Sequence, residues 1–203
     1  MSAYPIVLDG PEISALVVGG GRVAARKVRS LIEAGARVHV VAPVVANEIE
    51  QLAMASAELR ITRASYSRDH LRDATLVIAA TDDPTVNATI ATDARAAGHL
   101  VNVVNRPELG DFITPAVHRC GDVVVAVSAG GVPNAAARIR DAIAQTIDGR
   151  YATAVHELAS LRRTLIASNN RERWNEAAAA LIGDDFCARV ESDELSAEIA
   201  EWR

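Results

Sequence analysis

Apolar positions in the first half of the chain follow two alternating rhythms: short continuous runs, and stripes recurring every three to four residues. Ile13-Ser14-Ala15-Leu16-Val17-Val18 is the first short run. The segment from Arg22 to Ala34 then places Ala24, Val28, Leu31 and Ile32 on one stripe, with Arg26, Lys27 and Arg29 opposite, which predicts an amphipathic helix. Gly35 is placed to end it. A second strand is predicted over Arg37–Ala42, stopped by Pro43, and a second helix over Val44–Ser56. Leu59-Arg60-Ile61-Thr62-Arg63 alternates like a partly exposed edge strand. The unbroken run Thr75–Ala80 predicts a buried strand that delivers the helix-capping turn Thr81-Asp82-Asp83-Pro84. The helix after it ends near Gly98, and Leu100–Val104 forms a fifth strand. Strands alternating with helices at this interval predict an α/β domain with a doubly wound parallel sheet.

After Asn105 the rhythm changes. Phe112–Val117 and Asp122–Val127 are short strand-like runs joined by the polar turn Arg119-Cys120-Gly121, which predicts a hairpin or crossover outside the first domain. Ser128-Ala129-Gly130-Gly131 is a second glycine-rich loop, with Pro133 at a helix start. From Asn134 to Arg203 the chain reads as helical, Ala-rich and charged, with too few large apolar residues to close a core alone. Its apolar stripe is expected to bury against a partner subunit, so a homodimer is expected, with Trp174 and Trp202 packing at that interface or within the tail. The expected divisions are residues 1–111, a nucleotide-binding domain; 112–148, a central β and dimerisation region; and 149–203, a helical C-terminal domain.

Composition narrows the function classes. Half of the 203 residues are hydrophobic but only 3% are aromatic, so the core must be built from Val, Ile, Leu and Ala, as suits parallel strands covered on both faces. The net charge of −5 argues against general nucleic-acid binding, which rests on clustered positive charge. Cys120 and Cys187 lack C-x-x-C spacing and are expected to be reduced thiols. Met1–Pro5 has no basic n-region, and no apolar run approaches the ~18 residues of a membrane span, so a cytoplasmic protein without a membrane partner is expected. His39, His70, His99 and His156 have no metal-ligand spacing with each other or with Cys120 and Cys187, so no structural zinc site is expected, and the metal ligands, if any, are left open.

The chemistry concentrates at Gly19-Gly20-Gly21-Arg22-Val23-Ala24, between the first strand and the first helix. This is the βα turn of a Rossmann-type dinucleotide-binding fold. Gly19 permits the tight turn, Gly21 lets a pyrophosphate approach the backbone, and Ala24 sits where helix and strand must pack closely. The free N–H groups and positive dipole end of the helix receive the phosphates. A ribose-binding Asp or Glu is expected about 20 residues further on. The chain has Ala42-Pro43-Val44-Val45 there, with neither an acid nor an arginine, so this position alone does not choose between NAD and NADP.

Tyr4-Pro5-Ile6, followed by Val17–Ala24 and Arg26-Lys27, resembles the precorrin-2 dehydrogenase family. Gly35–Val38 with Val41-Ala42-Pro43, Ala79–Asp83, Asn102-Val103-Val104, Phe112–Ala116 and Val125–Gly131 fit the same pattern in the same register. The likeness is close over about the first 150 residues. It implies a Rossmann-type sheet followed by a dimerisation region and a helical domain, and NAD as the cofactor. It also implies oxidation of precorrin-2 to sirohydrochlorin, with iron insertion as a second activity in some members; a non-catalytic nucleotide- or tetrapyrrole-binding protein is the alternative from another class. By position the resemblance implies that NAD meets Gly19, Gly20, Gly21, Arg22 and Val23, reaches Ala42, Pro43 and Val44, and passes Thr81, Asp82, Asn102 and Val103.

The family pattern at the end of the fifth strand is Asn-Val-x-Asp, the aspartate being the acid/base. This chain has Asn102-Val103-Val104-Asn105, and an amide has no useful basicity. Asp111 and His118 are the substitutes, Asp111 first; a histidine titrates near neutral pH and can relay protons. The family substrate carries many carboxylates, so an acidic protein needs a local basic rim. Arg106, Arg119 and Arg138 supply one, with forks suited to carboxylates, and Arg140 lies close by in sequence. Ser128, Gly130 and Gly131 admit the macrocycle or bond its carboxylates.

Overall fold

The computed structural model describes residues 3–203. The chain divides into two compact units, one ending at Thr114 and the other spanning Pro115–Arg203. The hairpin and the helical tail thus share one unit. Among the described residues no helix is long and apolar enough to cross a membrane.

The first unit holds five strands: β1 (Ser14–Val18), β2 (Arg37–Val41), β3 (Leu59–Thr62), β4 (Leu76–Ala79) and β5 (Leu100–Val103). They are all parallel in the order β3-β2-β1-β4-β5. This is the predicted doubly wound sheet, with β3 on an edge as expected. Chain order reverses direction between β1 and β4, and ligands of open α/β sheets bind in the crevice outside the carboxyl ends of the strands at such a point. Helices α1 (Arg22–Glu33) and α2 (Asn47–Ala55) cover one face, where Ala24, Ala25, Val28 and Ile49 pack on Val17, Val40 and Ile78. Helix α3 (Pro84–Ala96) covers the other, with Ile90, Ala91 and Ala94 on Leu16, Val77 and Val101. Small and branched residues fill both layers, which is why so few aromatics suffice.

Boundaries shift from the sequence reading where local chemistry is strong. Val44–Ala46 stays outside α2, because the Ala46 N–H donates to the Gly20 carbonyl at 2.7 Å and holds this stretch against the glycine turn. Lys27 was expected on the solvent face of α1. It is half-buried instead, bonded to the Thr114 hydroxyl, and burial followed by the neighbouring Arg26 lowers its pKa from the usual lysine value.

The second unit opens with the antiparallel hairpin β6 (Ala116–Cys120) and β7 (Val123–Val127). The first strand lies four residues later than Phe112, and Arg119 and Cys120 are in it rather than in the turn. Gly121 (φ +55°) makes the two-residue connection, a conformation that glycine adopts without a Cβ penalty. Phe112 is spent elsewhere: its carbonyl accepts from the Asn102 amide at 2.8 Å. After α4 (Pro133–Thr146), α5 (Gly149–Ala167) presents Tyr151, Ala154, Leu158, Leu161 and Leu165 to Ala177 and Leu181 of α6 (Arg171–Leu181). Val190 of α7 (Phe186–Glu191) and Leu195 and Ile199 of α8 (Leu195–Glu201) complete the cluster. The tail therefore closes a core within its own chain, correcting the expectation that its stripe needs a partner subunit. Trp174 and Trp202 pack on this core, and the Arg173 guanidinium lies 5.6 Å from the Trp202 ring centre.

Candidate functional site

The three consecutive glycines meet three different surroundings. Gly19 has φ +127°, and a Cβ there would lie 2.3 Å from the Ala80 carbonyl oxygen. A Cβ on Gly20 would lie 2.0 Å from the Val44 carbonyl oxygen. Both positions are closed to a side chain by the protein's own backbone. Gly21 has φ −83° and ψ −175°, extended backbone that any residue adopts, and a Cβ on it would meet nothing within 4 Å. Gly21 is also the N-cap of α1 and supplies no side-chain acceptor, so the leading N–H groups of α1 have no side-chain cap. By contrast the N-terminus of α3 is closed by Asp83, whose carboxylate accepts from Thr85 N–H at 2.8 Å and Val86 N–H at 3.3 Å. An uncapped helix start under a cradle that a Cβ would fill fits the diphosphate of a dinucleotide.

At the end of β2, Ala42 is buried while Pro43 and Val44 are exposed beside the glycine turn. The first carboxylates beyond them, Glu48 and Glu50, are held at 2.6 Å by Arg29 and Arg63 respectively. No free acid or arginine is thus presented by the start of α2.

The carboxyl ends of β4 and β5 carry a hydrogen-bonded cluster around Asn87, which the sequence reading passed over. Asn87 is 1% exposed. Its Oδ1 accepts from the Thr81 N–H at 3.1 Å and the Thr81 hydroxyl at 2.7 Å. Its Nδ2 donates to the Thr81 carbonyl at 3.0 Å and to Asn105 Oδ1 at 3.3 Å. An Asn at the fourth position of a capped helix, six residues after a Thr at a strand end, is the only signal the sequence offered for it. Asp82 is exposed at the same edge. Val103 is wholly buried against α3, and the buried Asn102 side chain turns to Phe112 with its Oδ1 unpartnered among the described residues, so both present only main chain to the strand ends.

Asp111, expected as the acid/base, is engaged along the edge of β5. After β5 a short 3-10 turn, Pro107–Leu109, reverses the chain, and the Asp111 N–H donates to the Val101 carbonyl at 2.7 Å. One carboxylate oxygen accepts from the Val101 N–H at 3.0 Å and the other from Arg95 Nε at 2.8 Å. Asp111 therefore covers the outer edge of β5 two residues below its carboxyl end, with both oxygens engaged. His118, on β6, donates from Nε2 to the Ile147 carbonyl at 2.7 Å and is half-buried, a structural bond inside the second unit.

Among the residues expected to meet substrate, Arg106 is in the first unit and pairs with Glu108 at 2.9 Å. Arg119, Ser128, Gly130 and Arg138 are exposed in the second unit, where Gly130 (φ +55°) and Gly131 (φ +85°) shape the loop into α4. No described partner holds Arg119 or Arg138. Arg140 is bonded to Asp141 at 2.5 Å.

A parallel sheet ordered β3-β2-β1-β4-β5, with an open glycine junction at its reversal point, defines a dinucleotide-binding protein of the Rossmann type. Residues 6–116 match the family model described as "Putative NAD(P)-binding", and the chain belongs to this family. It is 38% identical over 180 residues to the siroheme synthase of Nitrosomonas europaea, covering 86% of this chain and 38% of that protein. It is 45% identical over 150 residues to the siroheme synthase of Nitrosospira multiformis, covering 72% of this chain and 32% of that one. The chain thus spans well under half the length of these curated relatives. A solved structure titled "SirC, precorrin-2 dehydrogenase" superposes with a TM-score of 0.77 at 28% identity, covering 98% of this chain and all of that one.

Proposed function

We propose that the chain is an NAD-dependent precorrin-2 dehydrogenase that oxidises precorrin-2 to sirohydrochlorin. The observation that carries the dinucleotide reading is the open Gly21 cradle at the uncapped start of α1. The end-to-end likeness to a precorrin-2 dehydrogenase supports the substrate. In this reading the diphosphate lies over Gly21 against the N–H groups of Arg22 and Val23, and Gly19 and Gly20 keep the turn tight beneath it. The adenosine half runs toward Ala42, Pro43 and Val44; the other half passes Thr81, Asp82 and the main chain of Asn102 and Val103. The end of β2 presents neither a free acid nor a free arginine, so the likeness to a precorrin-2 dehydrogenase is what favours NAD over its 2′-phosphorylated form. When bound, the nicotinamide ring accepts the hydride that precorrin-2 gives up. The chain's own contribution is positioning, which such a transfer mainly requires. The proton that leaves with the hydride goes to solvent or to exposed Asp82, because Asn105 has no basic atom and both oxygens of Asp111 are engaged. In the first unit Arg106 is available to a substrate carboxylate, its exposed pair with Glu108 being weak enough to displace; in the second unit exposed Arg119 and Arg138, with Ser128, Gly130 and Gly131, are available to others. Purified protein incubated with precorrin-2 and NAD is expected to form NADH and sirohydrochlorin in equal amounts. NAD binding without NADH formation would leave a non-catalytic binding protein.

The working form in this reading is a cytoplasmic homodimer joined through the β6–β7 hairpin. A two-stranded sheet is marginal alone, and one face of this one leaves Val117 37% and Val124 43% exposed. The two free cysteines suit a reducing compartment.

A further inference from the structure

Thr81, Asp82 and Asp83 carry the chain from β4 to α3, and two of the three side chains are spent on the helix. The Thr81 hydroxyl donates to Asn87 Oδ1 at 2.7 Å, and the Asp83 carboxylate accepts from the Thr85 and Val86 N–H groups. Asp82 lies between them, exposed and without a partner among the described residues. Side chains alternate along extended backbone, which Asp83 has (φ −95°, ψ 110°), so Asp82 is turned from α3 toward the crevice. Its charge is also the one left unbalanced at this edge. Asp83 is answered by the N-terminus of α3, Asp111 by Arg95 and Arg106 by Glu108. The remaining side chains around the ends of β4 and β5, Thr81, Asn87 and Asn105, are neutral.

The end of β4 abuts the glycine turn: a Cβ on Gly19 would lie 2.3 Å from the Ala80 carbonyl oxygen and 3.1 Å from the Thr81 nitrogen. With the diphosphate over Gly21 and the adenosine half toward β2, the other half of the cofactor runs across the end of β4, past Asp82. That half carries a positive pyridinium ring in NAD and a neutral ring in NADH. We infer that Asp82 is a specificity-determining residue, whose carboxylate faces the ring and makes the site favour the oxidised cofactor over the reduced one. This rests on the proposed dinucleotide site and adds to it a preference between redox states. Opposite charges about 4 Å apart in a water-exposed setting change affinity about fivefold. Asp82 thus draws in NAD and loses its partner once the ring is neutral, so that NADH leaves more readily.

The test titrates the protein calorimetrically with NAD, NADH and ADP-ribose. All three share the adenosine, the diphosphate and the second ribose, and only NAD brings a positive ring. The ratio of NAD to NADH affinity therefore isolates the ring charge, because any change in repulsion from the diphosphate is common to both and cancels. Asp82→Asn removes the carboxylate charge and keeps its shape, at an exposed position with no described bond for the fold to lose. It is expected to lower the ratio about fivefold, while NADH and ADP-ribose shift together by no more than about twofold. Asp82→Glu should retain most of the ratio, and added salt should shrink the wild-type ratio toward that of Asp82→Asn. An unchanged ratio in Asp82→Asn would overturn the inference; an equal loss for all three ligands would do so too and would identify a bond to the ribose hydroxyls in its place. Wild-type protein that binds none of the three would instead sink the dinucleotide reading itself.

Discussion

Gly20 and Gly21 are adjacent, yet the structure gives them opposite sensitivities, and this separates folding from binding at one turn. Gly21→Val adds three carbon atoms where a Cβ meets nothing within 4 Å, on a backbone already extended. The folded state loses only N-cap preference, about 0.5–1 kcal/mol. The same atoms occupy the space over the start of α1 that the diphosphate needs. Charge-assisted bonds to the helix N–H groups are worth about 1.5–3 kcal/mol each, so losing one of them weakens NAD binding at least about tenfold, and losing two weakens it several hundredfold. Gly20→Ala does the reverse. Its Cβ would sit 2.0 Å from the Val44 carbonyl oxygen, on a segment tied back through the Ala46 N–H, and the overpacking costs about 1–3 kcal/mol or more of stability. Urea unfolding and NAD calorimetry on both variants read the two effects apart. A stable Gly21→Val protein that binds NAD as tightly as wild type would refute the placement of the diphosphate over Gly21.

Three further outcomes are expected. Asp111→Ala removes a charged acceptor from both Arg95 and the Val101 N–H and should cost about 2 kcal/mol of stability by urea unfolding; Asp111→Asn should retain most of the turnover, and its loss in a fully folded variant would restore Asp111 as the acid/base. His39 accepts from Arg60 at Nδ1 and bonds Thr62 through Nε2, and burial, then Arg60, then His70 hold its pKa down at about 4. The unfolded chain therefore takes up this proton below about 6.5 while the folded one stays neutral, so stability complete above that pH should fall by about 1–2 kcal/mol as pH drops toward 4, after discount for the ring's exposure, and His39→Gln should flatten the slope in denaturant titrations. Val124→Lys on the open face of the hairpin should turn the proposed dimer into a monomer in sedimentation experiments, and an unaltered mass would exclude that face as the interface.

The sheet was legible because parallel strands buried on both faces must be written as continuous apolar runs, and Leu76–Ala79 and Ser14–Val18 have no alternative reading. The glycine turn was legible for the same reason: its spacing serves geometry that no other residue satisfies at Gly19. Three features escaped. Lys27 reads as a solvent-face lysine by helical period, and only the return of the chain to Thr114 buries it. Asp111 follows a strand end in sequence, but the 3-10 turn at Pro107–Leu109 carries it back along the strand edge, away from the crevice. Asn87 is silent because a buried amide satisfied by main chain leaves no periodic trace. The tail was misjudged by counting large apolar residues; α5 spaces Leu158, Leu161 and Leu165 so well that short helices with one or two apolar residues each complete its core.

The carboxyl edge of the sheet is built from groups that orient rather than groups that exchange protons. Thr81 and Asn87 bond one another, Asn105 accepts from Asn87, and the one aspartate pinned to β5 is bonded at both oxygens. Such an edge suits a reaction whose bond-making event is a hydride moving between two rings held in contact, since proximity and orientation supply most of what that step needs. Metal insertion asks more of it, because two pyrrole N–H protons must then be removed and, of the carboxylates near the edge, Asp111 is bonded at both oxygens and exposed Asp82 alone has no described partner. Asn105→Asp separates these demands. A metal-insertion site lacking only its base should gain, in this variant, the ability to load ferrous iron into sirohydrochlorin; an edge specialised for orientation should not. The hydrogen-bonded frame of Thr81, Asn87 and Asp111 predicts no gain.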